Sequence, residues 1–300
     1  MSFFYSIIHH THHEYSETVS ESHMEVRTLP RSDAGQRCLS FELVSDPKSN
    51  VLQYQDYLGN TVHHFDVPGK HAYLHLTARA LVEVIDDFPK LPKYGTGPGA
   101  WAEIDRLVTE GDNWEMVMPS KFVPITPRLL ALADELGARR EGDPGELVTR
   151  LNTALFKWLA YSPQTTKVDS TIDEALELRK GVCQDFSHIM LGLLRHLGIP
   201  ARYVSGYFFW QPGQPSHDHG ATHAWVEALL PEVGWVGLDP SNNLPARGRH
   251  IRVAYGRDYA DVPPTRGVFK GSAESDISVK VHVKELQERP KHAFAALIES

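Results

Sequence analysis

The spacing of apolar residues changes from a period of two to a period near 3.6 along this 300-residue chain, and this change constrains the fold most strongly. Stretches such as "RCLSFELVSD" and "HAYLHLTARALVEV" alternate apolar and polar side chains as strands do. Turn signals at Asp46-Pro47 and Gly59-Asn60 separate these stretches. We therefore predict an antiparallel β-sandwich over residues 1–90.

A connector and a second domain follow. Residues 91–121 begin in a stretch rich in proline and glycine, which predicts a segment that runs over the surface. The helical stretches after residue 122 are "TPRLLALADELG", "DPGELVTRLNTALFKWLAYS", "STIDEALELRKG" and "CQDFSHIMLGLLRHLG". The strand-like stretches are "ARYVSGYFFW", "THAWVEALL", "GWVGLDP" and, near the end, "DISVKVHVKEL". Helices followed by antiparallel strands predict an α+β domain over residues 122–300.

Composition excludes several classes of protein. The chain has 38 acidic and 30 basic side chains and a net charge of −8, which argues against nucleic acid or an anionic membrane as the main partner. The N-terminus lacks the basic region and cleavage site of a signal peptide. The 2 cysteines, Cys38 and Cys183, do not make a disulfide framework. We therefore expect a cytoplasmic protein in which Cys183 is a free thiol.

Cys183 lies at the start of a predicted apolar helix, in the stretch "GVCQDFSH". The unsatisfied N–H groups and the macrodipole of a helix N-terminus favour a thiolate, and the same N–H groups can bind an oxyanion. Gly181 allows the backbone to turn tightly into the helix. Helical spacing aligns Cys183 with Phe186 and Met190, so its side chain points toward packed structure. This orientation fits a buried small residue and also a nucleophile at the base of a cleft.

His223 and Asp239 are the candidate partners of this thiol. They lie on two strand-like stretches whose connection, "LLPEVG", has the length of a hairpin. In an antiparallel pair, Asp239 could accept the second ring N–H of His223 and so orient a general base. Alternatively, His223 packs against Trp225 and Asp239 forms an Asp-Pro turn. The ordered set of cysteine, histidine and aspartate is a stronger signal than any one of its members.

The chain resembles a known family in two places. The stretches "GVCQDFSHIMLGLLRHLGIPARYVSGY" and "HAWVEALLPEVGWVGLDPSNN" resemble the core of the transglutaminase-like superfamily of papain-like cysteine enzymes. The stretches "EYSETVSESHMEVRTLPR" and "DYLGNTVHHFDV" resemble the β domain that precedes this core in bacterial transglutaminase-like proteins. The resemblance implies that Cys183 is the nucleophile, His223 the base and Asp239 the residue that orients it. It also implies an acyl-enzyme: the thiolate attacks an amide, a thioester forms, and water or an amine resolves it.

One departure from the family pattern bears on the reaction. Animal transglutaminases have a tryptophan directly after the cysteine, where this chain has Gln184, and we find no calcium-loop spacing. We therefore expect hydrolysis of a peptide, isopeptide or other amide bond, without a cofactor. Acyl transfer to an amine is the alternative within enzymes. A binding module on a catalytically inactive papain-like scaffold is the alternative outside them.

Three further residues are candidates for the cleft or the oxyanion site. Gln184 and Asp185 flank the nucleophile at the helix start, and Tyr161 could donate its hydroxyl. The alternative for Asp185 is stabilisation of the helix N-terminus by an acidic side chain, and the alternative for Tyr161 is a structural role.

Histidine clusters raise the question of a metal, since the chain has 17 histidines. His217, His219 and His223, with Asp218, form a possible zinc set and hence a possible zinc-dependent hydrolase. A mobile rim over the cleft is the interpretation that we favour, because a ligand role would remove His223 as the base. For the stretch that begins at His9 and ends at His13, we expect a strand with outward-facing imidazoles.

Overall fold

Two antiparallel sheets and five α-helices form most of the structure, a computed structural model that describes residues 2–33, 35–85, 99–163, 165–211 and 221–289. In chain order the elements are β1 (Ser2–Val26), β2 (Gln36–Asp46), β3 (Leu52–Gln55), β4 (Thr61–Ile85), α1 (Ala100–Thr109), a 3-10 helix (Trp114–Val117), α2 (Pro127–Glu135), α3 (Pro144–Trp158), β5 (Ala160–Tyr161), α4 (Ile172–Leu178), β6 (Lys180–Gly181), α5 (Cys183–His196), β7 (Ala201–Phe208), β8 (His223–Leu230), β9 (Gly234–Asp239), β10 (Leu244–Pro245), β11 (His250–Gly256), a second 3-10 helix (Tyr259–Asp261), β12 (Thr265–Lys270) and β13 (Ser275–Leu286). The predicted fold class, a β domain followed by an α+β core, is confirmed.

The N-terminal sheet is built on β1 and β4, which are 25 residues long each and pair antiparallel. Their register shifts between Glu14 and Glu21, where the pairing is irregular. Before this break β1 also pairs with β13, and after it with β12. One apolar cluster collects side chains from both halves, including Met24 and Phe65 from one half and Leu76 from the other. The two layers of the predicted sandwich are therefore halves of one continuous sheet.

The last two strands depart from the predicted organisation. The sequence assigned residues 122–300 to the core, whereas β12 and β13 pair with β1 in the N-terminal sheet. Alternation identifies a strand and its faces but not its neighbour, which is why the sequence pattern could not place them. The boundaries at residues 90 and 121 stay a prediction, since residues 86–98 of the connector lie outside the described residues.

The imidazoles near the N-terminus do not all face outward, so that expectation was wrong for His9 and His13, which are buried. They lie on the same face of β1 as Tyr5 and Ile7, two residues of the core. His9 Nδ1 is 3.0 Å from the hydroxyl of Tyr207 on β7. Burial, with a smaller contribution from the charge of the neighbouring His10, lowers the pKa of His9 to about 4.

Helix α5 is the centre of the second part. Its residues from Cys183 to Arg195 are buried, and α2, α3, β7 and β8 pack around it. Side-chain N-caps begin α2 and α3: Thr126 Oγ1 accepts the Leu129 N–H at 3.2 Å, and Asp143 Oδ1 accepts the Glu146 N–H at 2.9 Å. Among the described residues, no helix is long and apolar enough to cross a membrane. The cytoplasmic location stays a prediction.

The core sheet has the strand order β10-β9-β8-β7-β11, with all neighbours antiparallel. The hairpin predicted between β8 and β9 is confirmed by their register, which runs from Val226 opposite Leu238 to Leu230 opposite Gly234. Because the strands run in opposite directions, the start of β8 and the end of β9 lie at the same end of the sheet. This end of the sheet carries His223 and Asp239, which the sequence singled out.

The N-terminal sheet is bonded directly to β11. The Asn60 side chain exchanges hydrogen bonds of 2.8 Å with the backbone N–H and C=O of Tyr255. The Gln36 side chain does the same with the backbone of Arg252, also at 2.8 Å. The Tyr5 hydroxyl donates to the carbonyl of Gly248 at 3.0 Å, just before β11 begins. The two parts of the molecule are therefore joined by directional bonds as well as apolar packing.

Gly206 on β7 provides a test of the packing within the core sheet. A Cβ at this position would lie 2.2 Å from the carbonyl oxygen of Ile251 and 2.5 Å from the indole of Trp225. Because both neighbours are buried and one is backbone, we expect Gly206→Ala to lower the free energy of unfolding by about 1–3 kcal/mol. Chemical denaturation measures this difference. Gly99→Ala is the control, since nothing lies within 4 Å of a Cβ there, and an equal loss in both variants would contradict the packing argument.

Candidate active site

Cys183 is the first residue of α5 and has only 8% of its surface exposed. The turn into the helix is fixed by Asp185, whose Oδ2 accepts the Val182 N–H at 2.8 Å and the Thr166 hydroxyl at 2.6 Å. A Cβ at Gly181 would come within 2.7 Å of this carboxylate, which is why the position requires glycine. The thiol thus lies at the N-terminal end of a buried helix, where the backbone N–H groups favour negative charge.

His223 connects the thiol to Asp239. Its Nε2 lies 2.8 Å from Asp239 Oδ2, and Cys183 contributes to the raised pKa of the ring. Because Nε2 is occupied by the carboxylate, Nδ1 is the ring nitrogen left for Cys183. The structure therefore brings together Cys183, His223 and Asp239, the three residues that the sequence grouped.

Asp239 is completely buried and accepts hydrogen bonds on both oxygens. Oδ1 accepts the Ser241 N–H at 3.1 Å, the Ser241 hydroxyl at 2.8 Å and the Asn242 N–H at 3.2 Å. Oδ2 faces His223 Nε2 at 2.8 Å, His250 Nε2 at 2.9 Å and the Asn242 side-chain amide at 2.8 Å. These donors stabilise a carboxylate that would otherwise be an unpaired buried charge.

The charges of the site follow from these contacts. Burial alone would lower the pKa of His223, but the charge and hydrogen bond of Asp239, with a contribution from Cys183, raise it to about 10. Burial alone would raise the pKa of Asp239, but His223 and the hydrogen bond from His250 hold it well below its usual range. Burial lowers the pKa of His250 despite its contact with Asp239. At neutral pH the site therefore holds an imidazolium at His223, a carboxylate at Asp239 and a neutral imidazole at His250.

The other predicted site residues lie beside the helix start. The Gln184 side-chain amide donates to the carbonyl of Val168 at 2.9 Å, and Asp185 binds Thr166 and the backbone of Val182. Both side chains thus tie α5 to the loop that precedes α4, and the contacts of Asp185 are those of the structural alternative. Tyr161 is half-buried on β5 and stacks on the Phe186 ring, with centroids 6.2 Å apart. A role in the oxyanion site stays a prediction for all three.

Three residues around Asp239 were not found from the sequence: Ser241, Asn242 and His250. The first two had a local signal, because short polar side chains directly after an Asp-Pro turn can bond back to the aspartate. His250 had none. It lies on β11, which pairs with β7, and reaches Asp239 only through the order of the strands.

The two histidines that contact Asp239 raise the question of a metal ion. Ligand atoms of His223, Asp239 and His250 all lie within 4.8 Å of one another. Both histidines, however, lie at direct hydrogen-bond distance from the carboxylate, and a protonated His223 has no lone pair for a metal. The zinc set that the sequence offered as an alternative differs from this group, and its members His217, Asp218 and His219 lie outside the described residues.

A cysteine at the start of a buried helix, with a histidine and an aspartate from an antiparallel hairpin, defines a papain-like α+β arrangement. Comparison with known families agrees with this class. Residues 131–240 match the transglutaminase-like superfamily, and residues 5–83 match the bacterial transglutaminase-like N-terminal region. The chain belongs to the transglutaminase-like superfamily, and the resemblance predicted from the sequence is confirmed.

The chain is also similar to individual proteins. An uncharacterized protein of Mycobacterium leprae is 31% identical over 287 residues, which is 93% of this chain and 98% of that protein. A structure from Cytophaga hutchinsonii, named as a candidate cysteine protease, has a TM-score of 0.74 at 19% identity and shares the fold over 97% of this chain and 93% of its own. A protein-glutamine gamma-glutamyltransferase of Pseudomonas aeruginosa is 36% identical over 126 residues, 38% of this chain and 18% of that protein.

The charge state of His223 can be tested directly. We expect selectively labelled His223 to give the NMR shifts of an imidazolium at pH 8 and to titrate near its pKa of about 10. Asp239→Asn should bring this pKa down by several units, because burial lowers it and the carboxylate charge that opposed this effect is gone. A neutral His223 at pH 8 in the parent protein would contradict the ion pair. Since the folded-state pKa lies above the ordinary 6.5, the pair stabilises the fold fully below pH 6.5, and this contribution is lost as the pH rises toward 10.

Proposed function

We propose that this protein is a cysteine-dependent enzyme that cleaves a peptide, isopeptide or other amide bond through a thioester. Cys183 is the nucleophile, His223 the general base and acid, and Asp239 the residue that orients His223. The observation that carries the proposal is the buried group of Cys183, His223 and Asp239, in which the Asp239 carboxylate lies 2.8 Å from the imidazole and Cys183 contributes to the raised pKa of that ring. Burial of these three residues excludes water, which strengthens the electrostatic interactions between them.

The reaction begins with the thiol proton on His223, an arrangement that the raised pKa of that histidine supports. The Cys183 sulfur attacks the amide carbon, and the oxyanion forms near the first N–H groups of α5, which have no partners within the helix. His223 then gives its proton to the leaving nitrogen, the C–N bond breaks, and a thioester remains. Water, deprotonated by His223, attacks the thioester, releases the acid and restores the thiol.

Acyl transfer to an amine is the second candidate function. The similarity of 126 residues to a protein-glutamine gamma-glutamyltransferase supports it, because that enzyme's name describes transfer. Gln184, at the position where animal transglutaminases have a tryptophan, supports hydrolysis. The thioester is common to both reactions, and the acceptor that reaches it, water or an amine, decides between them.

Alkylation by iodoacetamide tests the nucleophile without knowledge of the substrate. Cys38 is the control within the same chain: its thiol donates to the carbonyl of Ser40 at 3.3 Å, and burial raises its pKa to about 11. We expect Cys183 to react at pH 7 at least about tenfold faster than Cys38, since only a thiolate reacts. His223→Gln should slow the reaction of Cys183 by about 10²-fold or more. Mass spectrometry of each cysteine-containing peptide measures both rates.

The outcomes separate the proposed classes. Equal labelling of the two cysteines, with no effect of His223→Gln, would contradict the nucleophile. A library of peptides and isopeptides, assayed with and without a fluorescent primary amine, distinguishes hydrolysis from transfer by the product that carries the label. Cys183→Ala should abolish both reactions. If Cys183→Ala keeps every activity of the parent protein, the binding-module alternative is favoured.

A further inference from the structure

We propose that His250 is a positioning residue of this site, which holds the Asp239 carboxylate in the orientation that His223 requires. The inference rests on the proposed function of Cys183 and His223 and extends it to a residue on a different strand. His250 is 5% exposed, and its Nε2 lies 2.9 Å from Asp239 Oδ2, the same oxygen that binds His223.

The hydrogen-bond partners decide which nitrogen of His250 carries the proton. Nε2 faces a carboxylate oxygen, and a lone pair at this distance would repel it, so Nε2 must donate. Nδ1 lies 3.3 Å from the carbonyl of Arg247, a longer contact. Burial, outweighing Asp239, lowers the pKa of His250, and the charge on His223 lowers it further. His250 therefore acts as a neutral donor that shares the negative charge of Oδ2 without competing for the proton on His223.

The ring of His250 is held in place by aromatic neighbours. Its centroid lies 4.6 Å from that of Phe208 and 5.0 Å from that of Trp225. A cavity of about 10 Å³, the size of one water molecule, lies behind it and is bordered by Glu227 and Arg252. Glu227 is paired with Arg202 at 2.6 Å and Arg252 with Asp33 at 3.1 Å, so the charged groups on this side already have partners. Among the described contacts, Asp239 and His223 are the ionisable groups that His250 faces directly.

The N-terminal sheet fixes the strand that carries His250. Tyr5 on β1 binds the carbonyl of Gly248, and Gln36 on β2 binds both backbone groups of Arg252, so the ends of this short segment are anchored. Between them the His250 N–H donates to the carbonyl of Arg247 at 2.7 Å. The position of the second histidine on Asp239 thus depends on the β domain, which gives that domain a part in building the site.

Two substitutions of His250 separate positioning from packing, in a Cys38→Ser background that leaves Cys183 as the only thiol. His250→Phe keeps a ring but removes the donor to Asp239, whereas the Nε2 of His250→Gln can replace it. We expect His250→Phe to slow alkylation of Cys183 about tenfold or more, as loss of a hydrogen bond to a charged group does. The alkaline limb of its pH profile, which reports loss of the His223 proton, should move downward, because an Asp239 carboxylate that is no longer held in place stabilises the protonated His223 less. His250→Gln should stay close to the parent protein.

The matched control is His9→Gln, the same substitution at a buried histidine that binds Tyr207 and not Asp239. We expect it to lower thermal stability without moving the pH profile. With a substrate in hand, His250→Phe should lower kcat and leave KM unchanged, because His250 lies behind the reacting groups.

Several outcomes would overturn the inference. A folded His250→Phe protein with the pH profile of the parent shows that Asp239 does not need the second histidine. If His250→Gln and His250→Phe slow the alkylation of Cys183 equally, and His9→Gln slows it as much, the role of His250 is structural only. Failure of the proposed function has a different result: in the protein without substitutions, which still has both thiols, Cys183 then reacts no faster than Cys38.

Discussion

The negative charge of Asp239 is the constraint on which the arrangement of the site depends. A carboxylate with no exposed surface is unstable unless charges and hydrogen bonds offset its lost hydration, and here donors converge on both oxygens. They come from the end of β9, from β8 and from β11, so one buried charge fixes the relative positions of three strands. The same charge keeps His223 protonated next to Cys183. The stability of this end of the sheet and the chemistry proposed for it therefore have one physical origin.

This dependence extends to the N-terminal sheet. Strand β11 is bonded on one side to β7 and is anchored by side chains of Gln36 and Asn60 from the other part of the molecule. β12 and β13, which come after β11 in the chain, return to pair with β1. The chain thus passes from the sandwich to the core and back again. A substitution in the β domain can therefore change the surroundings of Asp239, because hydrogen bonds connect that domain to β11 and β11 to Asp239.

Much of the fold followed from local patterns. The apolar helix that starts at Cys183 and the hairpin of β8 and β9 were both predicted, because each depends on residues close together in the chain. The faces of β1 were predicted less well. Histidine is polar enough to suggest an outward position, yet His9 is buried because the hydroxyl of Tyr207, far away in sequence, provides a partner for its ring.

The sequence by itself grouped three residues: a cysteine at a helix start, and a histidine and an aspartate on the two strands of one hairpin. Their order and spacing were enough to group them, and the resemblance of the surrounding stretches indicated the family. Only the tertiary structure decided that His250 shares the carboxylate of Asp239 and that the last strands complete the N-terminal sheet. The physical reason is that alternation specifies which face of a strand is buried but carries no information about the strand beside it.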